Sequence, residues 1–161
     1  MLIRHTKPED LSAILEIYAH ARRFMAANGN ATQWGNVKPQ PARVQQDICD
    51  GISYVGTDDE GVIRFVFVFF TEPEPTYSYI ENGAWLNDLP YGTIHRVASD
   101  GTTHGVVGQI VAFCQQHINN LRIDTHENNI PMQKALAKNG FRHCGTIYLE
   151  DGDTRLAFQT E

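Results

Sequence analysis

Apolar and polar positions along this chain change period several times, and each change marks an element. Met1–His5 reads as a short strand. Thr6-Lys7-Pro8-Glu9 reads as a capping box, with Thr6 at the N-cap, Glu9 three residues later and a proline in the first turn. Leu11, Ile14, Leu15 and Tyr18 then recur at helical spacing, predicting an amphipathic helix from Glu9 to about Met25. Residues 26–40 are loop-like, and a second short helix is predicted over Pro41–Cys49. Ile52–Gly56 and Val62–Phe70 are rich in β-branched and aromatic residues and flank the turn Asp58-Asp59-Glu60-Gly61, a hairpin. The second of these strands is apolar nearly throughout, so it is expected to be covered on both faces. Glu72-Pro73-Glu74-Pro75 breaks it. The aromatic and polar stretch Tyr77–Leu89 follows, with room for a helical turn at Trp85.

Thr93–Ser99 is again strand-like, and the loop Asp100–Gly105 leads into a helix over Val106–Ile118. Leu121–Thr125 reads as a strand. Asn129 then caps a helix that runs to Lys138 and stops at Asn139-Gly140. Phe141–Leu149 and Thr154–Gln159 close the chain as a hairpin. The order β α α β β β α β α β β predicts an α+β fold: a mixed sheet with helices on both faces, in one domain spanning 1–161.

Composition narrows the function. Thirteen Lys and Arg against nineteen Asp and Glu give a net charge of −6, which disfavours general nucleic-acid binding. The longest apolar run, Phe65–Phe70, is too short for a membrane span, and no signal peptide is expected, so a cytoplasmic chain is predicted. Cys49, Cys114 and Cys144 form no CxxC pair and no zinc framework, and are expected to be reduced thiols.

The stretch richest in chemistry is the strand, glycine-containing loop and helix of Ile94–Ile118. Such a loop turns backbone N–H groups toward one point, and a helix N-terminus adds partial positive charge, so the pair suits a pyrophosphate. A plain connection is the alternative. No GxGxxG or P-loop pattern is present.

From Val97 onward the loop resembles the central motif of the GCN5-related N-acetyltransferase (GNAT) family, Val-x-x-x-x-Arg/Gln-Gly-x-Gly-x-Gly/Ala, with Gly105 on the second glycine. Thr102, Thr103 and Val107 depart from it. Leu121–Asn129 resembles the family's fifth strand and its Asn, and Lys138-Asn139-Gly140-Phe141 resembles the end of the helix that follows. Ile3-Arg4 and Asp10-Leu11 are similar to its opening, and the resemblance covers nearly the whole chain. Ile94–Ser99, Tyr148–Gly152 and Arg155–Ala157 look like a bacterial subgroup.

The resemblance implies a mostly antiparallel mixed sheet whose fourth and fifth strands splay apart to admit acetyl-CoA. It implies a pantetheine arm along Arg96, Val97, Ala98 and Ser99. Pyrophosphate would lie on amides of Thr103, His104, Gly105, Val106, Val107 and Gly108, with Asn129 as a further contact or only a cap. The thioester oxygen is expected at the Val97 amide, an oxyanion-hole arrangement. An amine then attacks directly, without a covalent enzyme intermediate. The family's acid is a Tyr where this chain has Leu136; Tyr148 is a substitute acid or a packing residue.

Two residues before Val97, His95 shares its strand face and can serve as base or as a structural histidine. His126 and Glu127, at the end of the fifth strand, are the other base candidates. Trp34, Tyr77 and Trp85 are candidates to line the acceptor pocket or to pack. His95, His104 and His126 lack ligand spacing, and no metal is expected. The expected partners are acetyl-CoA and an amine acceptor, with a homodimer left open and neither nucleic acid nor membrane involved. A non-catalytic acyl-CoA-binding or regulatory module on the same fold is the rival, supported by Leu136 and the departures in the loop.

Overall fold

The computed structural model describes residues 1–161. Seven strands form one sheet: β1 (Leu2–His5), β2 (Ser53–Thr57), β3 (Ile63–Phe70), β4 (Gly92–Ser99), β5 (Leu121–Thr125), β6 (Phe141–Tyr148) and β7 (Thr154–Thr160). Their order is β1-β2-β3-β4-β5-β7-β6. The helices are α1 (Leu11–Ala27), α2 (Pro41–Cys49), α3 (Val106–Cys114) and α4 (Ile130–Lys138). The architecture is the mixed α+β fold that the element order predicts, mostly antiparallel as the family resemblance implies. No helix is long and apolar enough to cross a membrane.

Two compact units make up the chain, one of Met1–Phe69 with His95–Val106 and the other of Phe70–Ile94 with Val107–Glu161. β4 therefore contributes Gly92–Ile94 to the second unit and His95–Ser99 to the first.

The core of the first unit is built from Ile14, Ile17, Tyr18 and Ala21 of α1, Val44 of α2, and Val55, Val66 and Ala98 of the strands. The α1 residues fall three or four apart, as one buried helical face requires. The start of this region differs from the sequence expectation. The turn ahead of α1 is a 3-10 segment over Pro8–Asp10, and the Lys7 N–H donates to Asp10 Oδ2 at 2.8 Å. Thr6 is not the cap, because its hydroxyl is engaged with Ser53 Oγ at 2.7 Å. Asp10 is also held by Arg4, and that hydrogen bond keeps its carboxyl below the usual range.

In the second unit, Gly92–Ile94 runs parallel to Leu121–Ile123, while β5, β7 and β6 form antiparallel ladders. Tyr77, Ile147 and Ala157 are its buried centre, with Ile80, Trp85, Tyr91 and Leu149 packed against them. The helical turn expected at Trp85 occurs instead at Pro75–Tyr77, where the Glu74 side chain caps Thr76 N–H. α3 stops at Cys114, four residues short of the predicted Ile118. Residues 80–84 strap β6: Glu81 and Thr146 exchange backbone hydrogen bonds of 2.9 and 2.8 Å, and Ala84 N–H donates to Cys144 O at 3.0 Å. Gly145 is required there, since a Cβ would lie 2.5 Å from the Glu81 carbonyl oxygen.

Candidate active site

In the first unit the candidate residues follow one another along β4 and the loop after it. β4 is not a regular strand. Arg96 has φ +49°, and among non-glycine residues only Asn82 shares a positive φ. For a long side chain the left-handed region costs about 1–3 kcal/mol, and it persists only where the surroundings fix it. Here they do so at both ends of the residue. The Tyr18 hydroxyl donates to the Arg96 carbonyl oxygen at 3.0 Å. The guanidinium forms a bidentate pair with Asp47, Nε to Oδ2 at 2.8 Å and Nη2 to Oδ1 at 2.9 Å. Asp47 is buried, its side chain 2% exposed, and Arg43 stands 3.8 Å away as a second cation.

This geometry changes what two predicted residues can do. Arg96 spends two N–H groups on a buried carboxylate, so its side chain serves the fold before any phosphate. The alternation that would give His95 and Val97 a common face is interrupted by the left-handed residue between them. His95 and Val97 are both half-buried, and Ala98 lies in the core. Trp34 joins this region through Tyr18, meeting its ring edge-to-face at 5.7 Å.

The loop after β4 is tied by its own side chains. Ser99 Oγ accepts from Gly101 N–H at 3.1 Å, and Asp100 Oδ1 accepts from the Thr102 N–H and hydroxyl at 2.9 and 2.6 Å. Arg64 bridges Asp58 and Asp100 at 3.0 and 3.1 Å. Those hydrogen bonds outweigh the opposing effect of burial and hold the Asp100 carboxyl below its usual range. Thr103 is half-buried, while His104 and Gly105 are exposed. Gly105 has φ +68°, and a Cβ there would meet nothing within 4 Å, so the turn needs glycine for its backbone and leaves open space beside it.

The second unit holds the remaining candidates. Val107 and Gly108 lie in the first turn of α3, where a Cβ on Gly108 would come 3.0 Å from Asn139 Oδ1. Asn129 caps α4, its Oδ1 accepting from Met132 N–H at 3.2 Å, as predicted. His126 is buried, and its Nδ1 accepts from Asn128 N–H at 3.0 Å. A neutral ring so bonded carries its hydrogen on Nε2 and presents a donor rather than a base. Glu127 is exposed.

Tyr77 is 2% exposed and packs at 5.0 Å from Trp85 and 6.2 Å from Tyr91, so it sits inside the fold rather than on a pocket wall. Its hydroxyl donates to Asp124 Oδ2 at 2.6 Å, and burial pushes its pKa well up. Trp85 donates to the Tyr77 carbonyl at 2.9 Å and stacks under Arg122. Tyr148 donates to Glu81, which also accepts from Tyr79 at 2.8 Å. The Glu81 hydrogen bond raises the Tyr148 pKa and makes it a poorer acid. Leu136 is fully buried.

Sequence reasoning passed over Tyr18, Asp47, Glu81 and Asp124. Tyr18 is legible only as a core position of its helix, and the defining partners lie far off in sequence: Arg96 for Tyr18 and Asp47, Tyr148 for Glu81 and Tyr77 for Asp124.

Solved structures give the comparison. An acetyltransferase of the GNAT family from Streptococcus agalactiae 2603 is 30% identical to this chain, with a TM-score of 0.89 over 99% of this chain and 94% of that one. A GNAT-family acetyltransferase from Listeria monocytogenes 4b F2365 is 18% identical, with a TM-score of 0.71 over 99% and 94%. A GNAT-superfamily phosphinothricin acetyltransferase from Sinorhizobium meliloti, solved in complex with AcCoA, is 14% identical, with a TM-score of 0.62 over 98% and 86%. The last two show the fold alone. No family model matches the chain, and no curated protein matches it in sequence.

Proposed function

The chain belongs to the GNAT family of acetyltransferases, and from that premise we propose that it moves the acetyl group of acetyl-CoA to the amine of a small molecule or peptide. The observation that carries this reading is the left-handed Arg96 inside β4. A left-handed residue redirects the peptide that follows it, and the next peptide N–H belongs to Val97. A backbone N–H turned out of a ladder is the donor that a thioester oxygen needs as negative charge builds on it, an effect worth a few kcal/mol. Val97, Ala98 and Ser99 offer the strand to the pantetheine arm. The amides of Thr103, His104, Gly105 and Val106 offer the phosphate contacts, with open space at Gly105.

The amine nitrogen attacks the thioester carbon; the C–N bond forms and the C–S bond breaks. A base receives the amine's proton directly or through water, with His95 and Glu127 as its candidates, and the departing thiolate takes a proton from solvent. His126, with its Nδ1 occupied, is the weaker candidate. One observation favours a non-catalytic acyl-CoA-binding module instead: Leu136 is fully buried in α4, so no acid is supplied from that position.

Calorimetric titration with acetyl-CoA, followed by thiol release over a panel of amines, separates the two. Heat with turnover supports the transferase, and tight binding without turnover across the panel supports the module. Absence of binding at millimolar acetyl-CoA would overturn both. Gly105→Asp adds a negative charge and a strained residue beside the loop amides, and is expected to weaken binding by about tenfold, or 1.4 kcal/mol. Unchanged affinity in a folded variant would remove the loop from the site.

A further inference from the structure

Arg96 holds a conformation that glycine would adopt without strain, yet the position carries one of the longest side chains. The reason is visible in what that side chain grips. Asp47 of α2 takes the guanidinium in two hydrogen bonds, and Tyr18 of α1 takes the carbonyl oxygen of the same residue. Asn82, the other left-handed residue, is of a type that tolerates this region, and Arg96 is not. Burying the Asp47 carboxylate is costly, and a bidentate arginine is the partner that offsets it with fixed direction. Three points therefore define the Arg96 peptide: its side chain, its carbonyl and the strand itself.

We propose that Tyr18 and Asp47 are positioning residues that clamp Arg96 in its left-handed conformation and thereby aim the Val97 N–H at the acyl carbonyl. The proposal rests on the acetyl-transfer reading above. Neither residue touches the reacting atoms; both act through the backbone of Arg96. The two anchors come from two different helices, so α1 and α2 jointly set the direction of one amide in β4. The Tyr18 ring also meets Trp34, so displacement of the loop that carries Trp34 would be felt at the Arg96 carbonyl.

The test needs no knowledge of the acceptor. The carbonyl stretch of isotope-labelled acetyl-CoA, bound to the full chain, reports the hydrogen bond to its oxygen, and calorimetry reports affinity. The intact protein is expected to lower that frequency relative to free acetyl-CoA. Tyr18→Phe keeps the ring and removes the donor; Asp47→Asn keeps the shape and removes the charge. Both are expected to lose at least half of the lowering while affinity falls by no more than about threefold, the scale of one weakened neutral hydrogen bond. Asp47→Asn combined with Arg96→Gly is expected to regain it, because glycine holds the conformation unaided.

A merely structural pair would not give that rescue. Full lowering in a folded Tyr18→Phe variant would overturn the clamp, and so would a double variant that regains nothing. Tyr18→Phe strands no buried charge, so it carries the test alone if Asp47→Asn fails to fold. Absence of heat with the intact protein would overturn the acetyl-transfer reading and the clamp with it, whereas heat with an unaltered carbonyl in every variant would overturn the clamp alone.

Discussion

Arg96 on β4 faces a carboxylate, whereas Arg122 on β5 is held without one. The Arg122 guanidinium lies 4.1 Å from the centre of the Trp85 ring and 4.0 Å from that of Tyr91, and it donates to the Asn87 carbonyl at 2.8 Å. It is 5% exposed, its Nε has no hydrogen-bond partner, and burial pushes its pKa down. Amides hold the segment that carries Asn87: buried Gln159 accepts from Leu86 N–H at 2.8 Å and donates to Asn120 at 2.8 Å. One unit thus uses a charge pair that fixes the direction of a backbone peptide. The other uses aromatic faces and amides, which hold a charge in place with less directional demand.

The largest expected effect separates these two solutions. Arg96→Met strands Asp47 as an unpaired buried carboxylate, a change that costs about 3–5 kcal/mol. Arg43, at 3.8 Å, offsets part of this, so the lower end is expected. Arg122→Met strands no charge; it loses cation–π attraction of about 0.5–2 kcal/mol and gains an easily buried side chain, for a net cost of about 1 kcal/mol or less. Urea unfolding of the two variants measures the difference. Equal losses would show that the aromatic cage is as demanding as the ion pair.

A smaller effect is expected from the strand glycines. A Cβ on Gly145 in the second unit would meet the Glu81 carbonyl at 2.5 Å, and a Cβ on Gly56 in the first would meet the Phe65 ring at 2.1 Å. Both substitutions overpack, at about 1–3 kcal/mol each. They should differ in kind. Gly145→Ala is expected to detach the strap over 80–84 and speed amide exchange at Glu81 and Thr146, with little change elsewhere. Gly56→Ala is expected to lower global stability, because the buried Phe65 ring must move within the core. Exchange spread evenly over the chain in Gly145→Ala would merge the two cases.

The sequence carried most of the fold because the fold is built from local periodicities. The α1 stripe of Ile14, Ile17, Tyr18 and Ala21, the Asn129 cap and the closing hairpin each depend on residues a few positions apart. Errors fell where two nearby groups compete for one role. Asp10 displaced Glu9 as the capping acceptor because Lys7, not Thr6, begins the turn. The site was legible as a strand, a loop and a helix, and no further. Nothing in a period-two pattern announces a left-handed arginine, and its partners stand 49 and 78 residues away. Tyr77 and Trp85 sit in an irregular segment, which leaves pocket lining and packing both open; their hydrogen bonds and the Arg122 cage supply the packing.

The cysteines extend the comparison between units to its smallest effect. Cys49 ends α2 in the first unit and is exposed, while Cys114 and Cys144 are buried in the second, and all three are free. Burial pushes the Cys114 thiol from an ordinary value of 9.0 up to about 12. The folded chain therefore keeps this proton when the unfolded chain has lost it. The contribution to stability is complete below about pH 9 and disappears as pH rises through about 12. Cys114→Ala should flatten that alkaline decline, measured as the urea midpoint against pH. A thiol reagent near neutral pH should accordingly modify one cysteine quickly in the folded protein and the other two only as it unfolds. Rapid modification of Cys114 at the rate of Cys49 would mean that the second unit opens more readily than its aromatic and amide packing implies.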